Sequence, residues 1–364
     1  MSGTTTTIHI RDMQPDEKKT LGAIMRRAFS PMQALFFSWK GHTLVAERDG
    51  ELLGGTVLET FSLPAERKGG IVLWIFTDPA VHGQGAGQAL TEAAIAYFEA
   101  QECTDMFACV EGYNTSSSKL FATRDFSILS PGAQLRRYGL GFLPMWFHTF
   151  HFIDIGHFLW GRPPADRPDS PALQWWGTLA VDTGLFWLAL WRQHGFQRFN
   201  PLQLLIVPLC LLVFFGARSL SMLGAARAQG LSLRYRAWES GYPLALVIAL
   251  FMGGIYPNPG SYYPRTDRWR YREWVPKLGP VALAGIVPIL LISWGLWAVD
   301  RWGSLSYAWK PWHSVAVMIG VMLSILDVLT IFFPLVSYNG RRVWDWKPWL
   351  WGVLALVTGA LIVL

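Results

Sequence analysis

The segment best equipped for chemistry is Asp78-Pro-Ala-Val-His82-Gly83-Gln84-Gly85-Ala86-Gly87-Gln88. It follows an apolar run, Gly70–Thr77, and leads into a helical pattern at about Gly87–Gln101. Three glycines at alternate positions let backbone N–H groups turn inward and approach an anion closely, and the helix behind them adds the positive end of its dipole. A phosphate or pyrophosphate is the expected guest. No Gly-Lys-Ser/Thr follows, so the loop is not a P-loop. The third glycine of a G-x-G-x-x-G fingerprint would fall on Gln88, which argues against dinucleotide binding of that kind.

The elements around this loop read as a mixed α/β domain. A strand at Ile8–Arg11 precedes a helix near Asp16–Phe29, and His42–Glu47 with Glu51–Phe61 flank an Asp49–Gly50 turn as a hairpin. After the loop and its helix come a strand at Met106–Glu111, a helix near Ser116–Ala122 and a strand beginning near Phe126. Within that frame Trp74–Leu90 resembles the acetyl-CoA pyrophosphate loop of the GNAT N-acetyltransferases, (Arg/Gln)-x-x-Gly-x-(Gly/Ala), with Gly85 and Gly87 on its two small positions. Asn114-Thr-Ser-Ser-Ser-Lys-Leu-Phe121-Ala-Thr-Arg-Asp-Phe126 is similar to the family's Asn…Leu-Tyr…Gly-Phe segment, and the likeness covers about residues 7–130.

The resemblance implies an α/β fold with a mixed, mostly antiparallel sheet flanked by helices, and acetyl-CoA as co-substrate. It assigns cofactor binding to Phe76, Thr77, His82, Gly83, Gln84, Gly85, Ala86, Gly87, Gln88 and Asn114, with the backbone of Phe76 and Thr77 facing the pantetheine arm. The implied reaction is attack of an amine on the thioester after its ammonium proton is removed, and Glu59, Asp78 and Glu111 are the candidate bases. Two positions depart from the family pattern. His82 stands where Arg or Gln is usual, and Phe121 where many members carry a Tyr that protonates the leaving thiolate.

Composition divides the chain. Its 364 residues are 52% hydrophobic and only 15% charged, against roughly 25% charged in a soluble domain. Residues 1–138 carry 13 Lys/Arg and 15 Asp/Glu; residues 139–364 carry 18 and 10, with 18 of the 20 Trp. Trp and cationic residues gather at bilayer interfaces, so the second part reads as an all-α polytopic membrane domain and its positive charge as topology, not nucleic-acid binding. Cys103, Cys109 and Cys210 have no CxxC spacing, which excludes a disulfide scaffold. The polar start, Met1 to Ile10, lacks the pattern of a secretory signal, which leaves the first domain cytoplasmic. The expected organisation is an acetyltransferase domain over 1–135, a bridge over 136–171 and a membrane domain over 172–364. In the bridge His148, His151, Asp154 and His157 recur every three residues, as an amphipathic helix at the membrane interface would place a polar seam; a metal site is the alternative.

Apolar runs appear at about Ala172–Trp191, Pro201–Phe215, Tyr242–Ile255, Leu278–Val299, Ser314–Val336 and Trp349–Leu364. The third is short and ends in Pro257-Asn-Pro-Gly260, so it reads as re-entrant. Five spans plus that hairpin put the cations between 265 and 277 inside, as the positive-inside rule requires. Asp182 and Asp327 fall inside expected spans, where carboxylates need partners. Pro334-Leu-Val-Ser-Tyr-Asn339-Gly340 and Arg218-Ser219-Leu-Ser-Met222-Leu-Gly-Ala225-Ala226-Arg227 resemble, with Val281–Gly285, the motifs of site-2 proteases. Each expected zinc ligand is replaced, by Arg218, Met222 and Asn339, and the base by Ser219, so no metal is expected. The resulting expectation is a multi-pass plasma-membrane N-acetyltransferase acting on a lipid headgroup, an aminosugar carrier or a membrane protein. The alternative is a non-catalytic acetyl-CoA sensor or scaffold with a pseudoprotease domain.

Overall fold

The computed structural model describes residues 7–152, 156–167, 169–195, 202–331, 335 and 337–363. The first half is a seven-stranded sheet with helices on both faces. Its elements are β1 (His9–Asp12), α1 (Lys18–Ala28), α2 (Pro31–Leu35), β2 (His42–Arg48), β3 (Glu51–Leu63), β4 (Arg67–Thr77), α3 (Ala86–Ala100), β5 (Asp105–Glu111), α4 (Thr115–Ala122), β6 (Ser127–Ile128), α5 (Pro131–Tyr138), α6 (Phe142–His148) and β7 (His157–Arg162). The strand order is β1-β2-β3-β4-β5-β7-β6, and only the β4–β5 pair is parallel. The expected mixed, mostly antiparallel sheet is therefore the observed one.

One irregularity in this sheet makes the site. Val57 pairs with Trp74 but Leu58 pairs with Val72, so Leu73 is an extra residue on β4. Such a bulge bends and twists its strand. Beyond it β4 leaves β5: their pairing runs from Gly69–Asp105 to Val72–Ala108 and stops. On its other edge β5 stays paired with β7 along its length, Met106 with Arg162 through to Glu111 with His157. Two parallel strands thus part like a V, and the edge of β4 from Leu73 to Thr77 is left without its neighbour.

The segment expected as an amphipathic bridge does something else. It contributes α5, α6 and then β7, a strand inside the sheet. His148, His151 and His157 go three ways: His148 stacks on Phe61 with ring centres 4.7 Å apart, His151 is buried beside Glu239, and His157 opens β7. Asp154 lies outside the described residues.

The second half is helical: α7 (Pro171–His194), α8 (Gln203–Ala228), α9 (Tyr242–Val247), α10 (Tyr271–Trp302), α11 (Lys310–Leu329), α12 (Gly340–Trp346) and α13 (Pro348–Val363), with short strands β8 (Leu233–Arg236) and β9 (Ser261–Pro264). Among the described residues three helices are long and apolar enough to cross a membrane: Leu204–Ala228, Tyr271–Trp302 and Tyr307–Leu329. Pro348–Val363 is apolar but shorter. The run after Tyr242 winds only to Met252 and returns extended, and β8 and β9 pair antiparallel at its two ends. Entry and exit therefore lie side by side, and the chain between them follows a hairpin path.

Both buried aspartates find partners. Asp182 accepts from the Asn258 backbone N–H at 3.2–3.3 Å. Asp327 receives Arg218 as a two-pronged ion pair, Nε at 3.1 Å and Nη2 at 3.0 Å, and also the Asn339 backbone N–H at 2.9 Å and its side-chain amide at 3.1 Å. Arg218 further donates to the carbonyls of Gly260 (2.9 Å) and Ser337 (2.8 Å). The two halves then dock through a common core, in which Phe158 of β7 meets Tyr263 edge-on at 5.4 Å. A buried polar chain crosses the same seam: Trp146 Nε1 donates to Gln134 Oε1 (2.7 Å), and Gln134 Nε2 donates to Glu239 (3.0 Å), which His151 also contacts (3.3 Å).

Removing one partner of a fully buried ion pair leaves a charge with nothing to solvate it. Arg218→Leu is expected to cost about 3–5 kcal/mol, and Arg218→Leu with Asp327→Leu distinctly less, because no charge is stranded. Unfolding of the purified full chain in detergent measures both; a double variant as damaged as the single one would contradict the account.

Candidate functional site

The loop after β4 is built by its glycines. Gly83 and Gly85 lie at φ +82° and +93°, a region that other L-residues enter only under strain. Gly85 is the left-handed cap of α3, and the first turn of that helix, Ala86 to Gln88, has amides with no intrahelical acceptor. Gln84 turns the other way, and its side chain accepts from Arg48 at 2.6 Å. Asp78 locks the loop's entry by accepting from the Ala80 N–H at 3.0 Å and pairing with Arg27.

These amides open into a cleft of about 760 Å³. One side is Phe76 and Thr77 of β4 with His82, Gly83 and Gly85 to Gln88 of the loop; the other is Tyr113, Asn114 and α4 as far as Leu120. Asn114 caps α4, its side chain accepting from Ser117 N–H at 3.2 Å. A third side comes from far along the chain: Arg270, Tyr271, Arg272 and Glu273, where α10 begins. Tyr271 is anchored there by three contacts. Its N–H donates to Thr115 Oγ1 (3.0 Å), its hydroxyl donates to Asp345 (2.9 Å), and its ring lies 4.7 Å from that of Tyr113. Buried Arg342 sits behind this wall, 5.9 Å from the Tyr113 ring centre and 4.6 Å from that of Tyr263.

Of the residues singled out in the sequence, Phe76, Thr77, His82, Gly83, Gly85, Ala86, Gly87, Gln88 and Asn114 share this cleft, while Gln84 faces away from it. The three carboxylates are not brought together. Asp78 is committed to Arg27, whose guanidinium holds its carboxyl below the usual carboxylate range. Glu59 is partnered at 3.8 Å by His148 on the far part of β3. Glu111 ends β5 on the other arm of the V, and burial pushes its carboxyl above the usual range against the opposing pull of His157 and Arg341. Phe121 is buried in the core against Phe126, ring centres 5.2 Å apart, and does not face the cleft. The wall from Arg270 to Glu273 is what sequence reading missed.

In the helical half, the positions where zinc ligands are expected by resemblance do meet. Asn339 Nδ2 lies 3.7 Å from Met222 Sδ and 3.1 Å from Asp327, which holds Arg218.

Residues 10–126 match the family model described as Acetyltransferase (GNAT) family. A protein of Methanocaldococcus jannaschii classed by name among zinc metalloproteases is 27% identical over 135 residues; the match takes in 36% of this chain and spans 64% of that protein's length. Among solved structures, an IAA acetyltransferase from Bacillus cereus is 20% identical, with a TM-score of 0.29, over 34% of this chain and 79% of its own. A GNAT family acetyltransferase from Brucella melitensis in complex with acetyl-CoA is also 20% identical, with a TM-score of 0.26, over 31% of this chain and 82% of its own.

The two kinds of glycine in the loop are separable by mutation. Gly85→Ala forces a side chain into the left-handed region at a cost of about 1–2 kcal/mol. A methyl at Gly87 would meet Leu120 Cδ1 at 3.5 Å, an ordinary contact, so Gly87→Ala is expected to change stability by less than about 0.5 kcal/mol. Thermal unfolding of the two variants compares them; equal losses would refute the assignment of the backbone role to Gly85.

Proposed function

We propose that this chain, whose residues 10–126 are a GNAT acetyltransferase domain, is a membrane-anchored N-acetyltransferase that uses acetyl-CoA to acetylate an amine on a membrane-bound or membrane-proximal acceptor. The observation that carries the reading is a glycine cradle at the end of a strand that has parted from its parallel neighbour. Positive-φ glycines leave the loop amides of Gly83 and Gly85 to Gln88 open to a pyrophosphate, and the bared edge of β4 from Leu73 to Thr77 offers backbone groups to an extended arm. The residues present therefore fit acetyl-CoA, which when bound supplies the activated acetyl group.

We assign proton removal from the incoming ammonium to Glu111, which ends the strand that parts from β4 and borders a small pocket beside the cleft rather than the cleft itself. A carboxylate with a raised pKa is a stronger base, and its burial supplies that shift. Asp78 is committed to Arg27, and Glu59 lies on the far part of β3 beside His148. Anchoring through the apolar helices would hold the site near the bilayer and raise the effective concentration of acceptors confined there, whether lipid headgroup, aminosugar carrier or membrane protein. The proposed setting is the plasma membrane with the GNAT domain in the cytoplasm. The helical half would serve as anchor and scaffold without protease chemistry, since Arg218, Met222 and Asn339 stand where the resemblance puts zinc ligands and Arg218 is paired with Asp327. One observation favours the second reading, a non-catalytic acetyl-CoA sensor: Phe121 has no hydroxyl and is turned into the core.

Incubating the purified full chain with labelled acetyl-CoA and membrane extract tests the proposal. Label is expected in a membrane amine, and not with Gly85→Glu. Glu111→Gln should bind acetyl-CoA yet transfer about 10²–10⁴-fold more slowly. Because the Glu111 pKa is raised, the base form appears only above the usual carboxylate range. The ascending limb of kcat/KM should accordingly lie above about pH 4.5. Binding without transfer would decide for the sensor.

A further inference from the structure

Resting on the acetyl-CoA reading above, we propose that the cofactor site is shared between the two halves of the chain, with Arg270 and Arg272 of the helical half binding the phosphates of CoA across the cleft from the glycine cradle. Both arginines line the same cleft as Gly83, Gly85 and Gly87. The residue between them is the anchored one: Tyr271 is held through its backbone, its hydroxyl and its ring. The two guanidinium groups are therefore carried on a fixed point, and binding by them costs little further ordering of the main chain.

The charge count calls for them. CoA brings a pyrophosphate and a ribose phosphate, and a phosphate monoester alone carries about −1.5 to −2 at neutral pH. Against this the cradle offers backbone amides and the amino end of α3, equivalent to roughly half a positive charge. The side chain that the family pattern would add is absent, because position 82 is His. Arg48, which donates to Gln84, and Arg27, which pairs with Asp78, are not part of the cleft lining. Lys119 also lines the cleft, a single point charge where a forked donor suits phosphate better.

Arg270 and Arg272 are free to serve. Arg270 is engaged by Glu273 at 3.1 Å, but both side chains are 63% exposed, and an exposed ion pair of this kind holds its partners weakly. Among the described residues no carboxylate lies within ion-pair distance of Arg272. Glu273, the one acid in the wall, is neutralised by Arg270 until a phosphate competes for that guanidinium. The first domain thus supplies the shape of the phosphate site, and the second supplies much of its charge.

The test is calorimetric titration of CoA into the detergent-purified full chain, with hydrogen exchange of the same sample. Arg270→Ala combined with Arg272→Ala is expected to weaken CoA binding at least tenfold and to flatten its salt dependence. The loss should be smaller for 3′-dephospho-CoA, and Arg→Lys at both sites should recover part of it. In the wild-type chain CoA should slow exchange at residues 270–273 together with the 83–88 loop, a readout that does not depend on any variant folding. Wild-type binding with unchanged affinity in the alanine pair, or with protection confined to the loop, would overturn the shared site and leave the acetyl-CoA reading standing. Failure of the wild-type chain to bind CoA, at the level seen for Gly85→Glu, would overturn the acetyl-CoA reading, and the shared site with it.

Discussion

Arg218 reaches acceptors in three separate stretches of chain: Asp327 at the end of α11, the Gly260 carbonyl at the end of the hairpin, and the Ser337 carbonyl before α12. Both ions are buried, so neither can fall back on water, and the cost of dehydrating them is offset only if every prong is met. That requirement fixes where the hairpin ends and where α12 starts. From α12 the constraint passes to Arg342, which donates to Ser261 Oγ (3.1 Å) and the Tyr262 carbonyl (2.9 Å) and lies against Tyr113 and Tyr263. Tyr113 belongs to the first half and lines the cleft. A single satisfied ion pair deep in the helices is in this way connected, contact by contact, to the shape of the cleft.

The docking itself is polar as well as apolar. Gln134 uses both ends of its amide at the seam, accepting from Trp146 and donating to Glu239 and to the Leu129 carbonyl at 2.8 Å. An apolar surface alone would tolerate sliding or rotation. A buried network that must be fully paired admits one arrangement, because a shift strands a donor or acceptor away from water. The wall from Arg270 to Glu273 therefore meets the cradle in a defined register, held by Thr115 and Tyr113 on one side and Asp345 on the other.

What the sequence disclosed and what it withheld follow from the range of the forces involved. The loop was legible because glycine spacing, strand and helix are all local, and the hairpin at Asp49–Gly50 for the same reason. The early stop of the helix that begins at Tyr242 was legible from the shortness of the apolar run and its terminal prolines. β7 was not: His157–Arg162 continues an aromatic stretch whose polar residues recur every three positions, and only pairing with β5 and β6 makes it a strand. Nor was the third wall. Arg265, Arg268, Arg270 and Arg272 stand out as a cationic run, but the positive-inside rule accounts for them without invoking a site. The commitment of Asp78 to Arg27, 51 residues earlier, is likewise a tertiary fact that strand position could not disclose.

The distance along the chain between the walls of the cleft also has a meaning in time. Arg270 follows Asn114 by roughly 150 residues, which at synthesis rates of about 5–20 residues per second is a delay of roughly 8–30 s. A nascent chain thus passes through a period in which the first domain has all its strands while its cleft stands open on one side. Closure waits for a still later piece, Arg342 and Asp345 of α12. A finished three-walled cleft is then a mark borne only by chains whose helical half has been made and has docked, and a chain without that half would carry the same loop without the mark.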